Sequence, residues 1–134
     1  MNCYVLKDIN IPENVTEIKD LTFAYCKSLT SINIPNNVIK IGESAFVQCN
    51  SLKIINISNN IIDIGKSAFS SCYSLKTIKI PDQITEIKDQ VFYECRSLIF
   101  INIPDKVTKI GSSAFSNCYS LTSINIPNDV VEIG

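Results

Sequence analysis

The chain has 134 residues, 46% of them hydrophobic, with 12 Lys+Arg against 13 Asp+Glu and a formal net charge of −1. That is enough apolar material for a core, and it leaves no basic stripe to track a phosphate backbone, which argues against a nucleic-acid partner. No run is long enough to span a bilayer, and histidine is absent, removing the usual general base, the commonest metal ligand and the physiological pH switch.

Met1-Asn2-Cys3-Tyr4 lacks the basic flank and apolar stretch of a secretory signal. The expectation is a protein that stays inside the cell, or a piece of a longer secreted one. Cys3 then opens the first of six copies of one pattern. Cys26, Cys49, Cys72, Cys95 and Cys118 follow at a constant step of 23 residues. Each is followed three residues later by Leu, from Leu6 to Leu121, and then by two Ile residues, as in Ile78 and Ile80. A self-similar period between about 20 and 50 residues marks a repeat architecture. The whole of 3–134 therefore reads as a single solenoid, with the sixth unit incomplete.

Within a unit, the piece from Leu to Pro has period-2 spacing and β-branched residues, which predicts a short strand. In Leu29-Thr30-Ser31-Ile32-Asn33-Ile34 the apolar side chains point inward and Ser31 and Asn33 outward. Pro35 closes the strand, as do Pro12, Pro81, Pro104 and Pro127, with Ser58 in the one unit that differs. Turn formers such as Asn36-Asn37 come next. Val38-Ile39-Lys40-Ile41 predicts a second extended piece, with Val38 and Ile41 inward. Gly42, Gly65, Gly111 and Gly134 share the following position, but Lys19 and Lys88 also stand there, so it does not strictly require positive φ. Ser44 to Cys49 is expected to make one helical turn, with Ala45, Phe46 and Cys49 on its inner face. No unit can bury its apolar side alone, so stacking must supply the core, with Phe23, Phe46, Phe69, Phe92 and Phe115 as a column.

These residues carry a resemblance. Leu75, Ile78, Ile80, Pro81, Phe92 and Cys95, repeated in register, resemble the BspA-like class of leucine-rich repeats. The resemblance implies an α/β fold: a curved right-handed solenoid with a parallel sheet on its concave face and short strands and helical turns elsewhere. It also implies a surface or secreted protein of adhesion and recognition, binding a protein ligand such as a host cell-surface or matrix protein. It supplies no catalytic residues, metal or cofactor.

Positions that break the pattern point to a binding face. Outward strand positions are mostly polar, but Lys53-Ile54 and Ile99-Phe100 place apolar side chains there. Exposed aliphatic and aromatic residues on a sheet can serve as binding anchors; the other reading is drift in a permissive repeat, since scattered surface hydrophobes are normal. Ile54, Thr77, Lys79, Ile99 and Phe100 are expected to form one patch, bordered by Asn56 and Asn102 of the outward Asn column. Those amides also have a structural reading, as hydrogen bonds from strand to strand.

Other columns read as structure. Six cysteines one above another are read as buried thiols acting as small hydrophobes, since C-x-x-C is absent and bridging would distort every layer. Glu17, Lys40, Asp63, Glu86, Lys109 and Glu132 form a partly alternating solvated charge column. Ile39 and Ile62 belong to a half-exposed strand edge, and Tyr4, Tyr73 and Tyr119 to a corner. Asn14-Val15-Thr16 and Asn56-Ile57-Ser58 match the glycosylation sequon, a short pattern that chance often supplies. The absence of polar caps raises a second functional reading, a structural segment that stacks end to end. An enzyme is not expected, because neither a nucleophile–base pair nor a phosphate loop is present.

Overall fold

The period-2 segments become strands where the spacing places them. The computed structural model describes residues 3–134; Met1 and Asn2, with which the N-terminal reading above begins, lie outside the described residues. In chain order the strands are β1 (Glu17–Ile18), β2 (Ser31–Asn33), β3 (Lys40–Ile41), β4 (Ile54–Asn56), β5 (Asp63–Ile64), β6 (Thr77–Lys79), β7 (Glu86–Ile87), β8 (Phe100–Asn102), β9 (Lys109–Ile110) and β10 (Glu132–Ile133). Every pairing is parallel and offset by one 23-residue unit: Ile32 lies beside Ile55, Ile78 beside Ile101, and Ile18 beside Ile41. Laying each unit on the last in this register makes a parallel β-solenoid.

The three-residue strands alternate exposed, buried, exposed, which turns one Ile per strand into the core. Leu29, Leu52, Leu75 and Leu98 are fully buried, and so are Val38, Ile41, Phe46, Phe69 and Phe92. The Phe rings stack in a column from Phe23 to Phe115, with centroids 5.2, 5.5, 5.8 and 5.6 Å apart. Their offsets fall within the 4.5–7 Å at which aromatic pairs add to plain burial, about 0.5–1.5 kcal/mol per pair.

The expected helical turn is not there, and the α/β reading gives way to strands and turns: no helix occurs among the described residues. The inward set is right, since Ala45, Phe46 and Cys49 are fully buried. The backbone differs because its N–H groups go elsewhere. Val47 N donates to Ser44 O and Cys49 N to Phe46 O, closing two tight turns. Ser44 N, Phe46 N and Gln48 N donate to Lys66 O, Ala68 O and Ser70 O of the next coil, at 2.8–2.9 Å. A helix would bind those amides within the segment; stacking offers them a ladder instead. Ser44 and Gln48 hold φ of 53° and 57°, and the same two positions are left-handed in each of the five turn segments. Side chains rarely tolerate this region, so the inter-coil ladder and the buried Phe hold it in place.

The glycines serve another purpose. None has positive φ. At Gly42 a Cβ would lie 2.5 Å from Asp20 N, and at Gly111 2.5 Å from Asp89 N, each in the preceding coil. The position needs Gly because the corner backbones touch. Lys88 takes this position in the fourth coil (72–94), where the strand ladders are interrupted. No ladder joins β4 to β6 or β5 to β7 among the described residues; the sheets end on either side. The turn side stays stitched by Ser67 N to Asp89 O, Phe69 N to Val91 O and Ser71 N to Tyr93 O. Lys88 Nζ reaches back to Asp63 Oδ1 at 2.5 Å, and Lys66 to Asp89 Oδ2 at 2.9 Å. The result is a seam between coils three and four, without a ladder on the strand sides and bonded on the turn side.

Candidate functional site

The polar positions of the three-residue strands form one face of the solenoid. On it, Ile54, Ile99 and Phe100 are 58%, 54% and 59% exposed. Backbone register fixes their neighbours. Ile54 lies beside Ser31, and Phe100 beside Thr77, with Lys79 beside Asn102. Ile99 N donates to Lys76 O at 2.9 Å, so Ile99 sits over Lys76. Ile54 and Asn56 of β4 face Thr77 and Lys79 of β6 across the seam. All seven residues expected to form the site are exposed; six are outward positions of three-residue strands, and Ile99 immediately precedes β8.

Lys53 and Lys76 were not counted as site residues, although they precede Ile54 and Thr77 and are exposed on the same face. The signal that could have found them is their column: it runs Thr30, Lys53, Lys76, Ile99, so two ammonium groups adjoin the apolar break. The Asn column has a structural part, because Asn56 Nδ2 donates to Asn33 Oδ1. Lys79 interrupts it and pairs instead with Asp82 at 3.8 Å. The face offers apolar side chains, amides, hydroxyls and ammonium groups, which is recognition chemistry.

The thiols take no part in this face. Cys26, Cys49, Cys72, Cys95 and Cys118 are buried. Cys49 Sγ donates to Phe23 O at 3.1 Å, and Cys72, Cys95 and Cys118 repeat the contact at 3.2 Å with Phe46 O, Phe69 O and Phe92 O. Each of those carbonyls already accepts the N–H of the Cys three residues on, so the thiol of the Cys one repeat further fills the second lone pair. Burial pushes the Cys49 thiol up to about 12 and Cys118 to about 11, and raises Cys26, Cys72 and Cys95 as well. Thiols held protonated are poor nucleophiles.

The remaining columns are occupied by local pairing. Lys40 meets Glu17 at 3.5 Å and Lys109 meets Glu132 at 3.1 Å, as the alternating column predicts. Arg96 stacks on Tyr73, 4.4 Å from the ring centroid, and Lys27 lies 5.5 Å from that of Tyr4, closing the corner. Ile39 and Ile62 are exposed neighbours on the two-residue-strand side, joined by Ile62 N to Ile39 O.

Comparison with known proteins agrees with this geometry. The sequence profile of the BspA type leucine rich repeat region matches residues 1–121 in six copies. The chain belongs to the BspA-type leucine-rich repeat family. Among solved structures, this BspA-type chain is 42% identical to a leucine rich cell surface protein from Faecalibacterium prausnitzii, with a TM-score of 0.84 over 89% of this chain and 31% of that one. A leucine-rich repeat protein of T. pallidum matches at 29% identity and a TM-score of 0.86, over 96% of this chain and 69% of that protein. One from Bacteroides ovatus matches at 30% identity and 0.83, over 99% of this chain and 40% of that one. The chain thus spans about a third of the F. prausnitzii protein. No curated protein matches it. No helix among its described residues is long and apolar enough to cross a membrane.

Proposed function

We propose that this BspA-type chain is a non-catalytic protein-binding scaffold, and that its contact surface is the face of three-residue strands, the concave side of a right-handed solenoid. The observation that carries the reading is the exposure of Ile54, Ile99 and Phe100 on a face whose other outward positions are polar. Leaving large apolar side chains in water wastes their burial energy, about 1.5–3 kcal/mol each, unless a partner covers them. The cell-surface designation of the F. prausnitzii protein supports a location where such partners are met, on another cell or its matrix. The test is a pull-down against host cell-surface and matrix proteins with the native chain and Phe100→Asp. Capture by the native chain alone supports the reading. Equal capture by both would move the site away from Phe100, and no capture by either would set the reading aside.

A second reading, end-to-end self-association, is favoured by the end coils. Val131 and Ile133 are 88% and 62% exposed, and Ile9, Ile11, Val15 and Phe23 line an apolar hollow at the other end. A second copy stacked on either surface would cover these side chains. Light scattering over a range of concentrations distinguishes the two: growth of the particle with concentration supports assembly, and a constant monomer refutes it.

A further inference from the structure

We propose that the partner of the three-residue-strand face is an acidic, apolar protein segment, one that sets an aromatic or aliphatic side chain beside two or three carboxylates. This rests on the reading of that face as a contact surface and adds the chemistry of what it contacts. The chain as a whole is slightly acidic, with 13 Asp+Glu against 12 Lys+Arg. The outward strand positions of coils three to five reverse that balance: they hold Lys53, Lys76 and Lys79 and no acid. These cations lie in coils three and four, alongside the apolar residues. Ile99 is seated over Lys76 through its backbone bond, Phe100 is in register with Thr77, and Lys53 precedes Ile54.

The charges there are available. Lys40, Lys66, Lys88 and Lys109, on the other sides of the solenoid, are each paired with a carboxylate. Among the described residues neither Lys53 nor Lys76 has an ion pair, and Lys79 has only the 3.8 Å contact with Asp82, both side chains 64% exposed. An exposed pair at that distance contributes little and yields to an incoming carboxylate. Asp82 and Asp105 belong to the turns beyond the strands, so they border the face without crossing it. An apolar anchor over Ile54, Ile99 and Phe100 would exclude water, and ammonium–carboxylate attraction strengthens where water is excluded. Charge complementarity of this kind selects partners and orients them.

The test is fluorescence anisotropy with the full chain and three labelled peptides of equal length. The first alternates Asp and Glu with Phe and Leu; the second replaces every acid with Lys; the third is all Glu. The first is expected to bind at least about ten-fold more tightly than the others, more weakly as salt rises. Phe100→Asp and the double variant Lys53→Glu/Lys76→Glu should each weaken it by about ten-fold or more, with unchanged thermal melts. Absence of binding, or equal binding of the Lys peptide, overturns the proposal. All-Glu binding as tight as the first and indifferent to Phe100→Asp also overturns it, and indicates a polyanion such as a sulfated polysaccharide. In the pull-down, a partner lost with Phe100→Asp but kept by the lysine reversal would preserve the contact face and overturn its acidic partner.

Discussion

Raising the pH from about 8 to about 10 is expected to loosen the solenoid through its buried thiols. In the unfolded chain a cysteine ionises near its ordinary value of 9.0, while burial holds Cys49 up to about 12 and raises Cys72 and Cys95 as well. Below 9.0 both states keep the proton and the full stability is present. Above it the unfolded state releases protons that the folded state retains, so stability falls as pH rises, until the folded thiols ionise too. Each buried thiol then withdraws about 1.4 kcal/mol per pH unit. At about pH 10 those three alone remove about 4 kcal/mol, a large share of the roughly 5–15 kcal/mol that holds a domain together. Urea unfolding followed by circular dichroism, in reductant, at steps of pH measures the loss. Lysines and tyrosines titrate in the same range, so the decisive comparison is with Cys72→Ala, whose stability should fall less steeply by one thiol's share. Identical slopes for the two chains would refute the argument. So would native thiols that react with a thiol reagent as fast as denatured ones.

Phe69→Ala removes a fully buried ring stacked at 5.5 and 5.8 Å between two others. It should cost about 3–5 kcal/mol in thermal melts, whereas Phe115→Ala, at a half-buried ring, should cost clearly less; equal losses would contradict the layered core. Lys88→Gly should let coil four settle onto coil three, so that amide exchange at Thr85 slows toward that of Thr108, which already donates to Thr85 O. If Thr85 is as protected as Thr108 in the native chain, the seam does not open its backbone. Lys66 and the backbone N–H of Ser112 hold the Asp89 carboxyl below the usual carboxylate range. Their contribution is therefore present above the unfolded value near 3.8 and lost as pH falls through the lower folded value. Carboxyl NMR of Lys66→Ala should show Asp89 titrating at higher pH, and an unchanged titration would dissolve the pair.

Most of the fold was legible because a step of 23 repeats the same decision six times. Leu29, Ile32, Ile34, Val38 and Ile41 turn inward as their spacing requires, and Phe46 follows in the turn segment. What the spacing could not convey was the destination of the N–H groups between Ser44 and Cys49. Three- and four-residue spacing describes which side chains share a face, and a pair of left-handed turns puts Ala45, Phe46 and Cys49 on one face as well as a helix does. The glycine position was half legible: Lys19 and Lys88 showed that positive φ was not needed, but only the 2.5 Å approach to the neighbouring coil gives the reason for Gly. Ile54, Ile99 and Phe100 stood out as exceptions to a polar pattern. Lys53 and Lys76 did not, because lysine at an outward position breaks no rule until its neighbours are known.

Stacked repeats fold as a line of units in which each holds the next, and the strength of each junction decides how far order spreads. The Cys, Leu, Ile and Phe columns run unbroken along the sequence, but between coils three and four both strand ladders are missing. A weaker coupling there would divide the array into two cooperative blocks, coils one to three and coils four to six. Under urea or mechanical pull, the chain would yield at that junction first, and each half would then rise or fall as a unit.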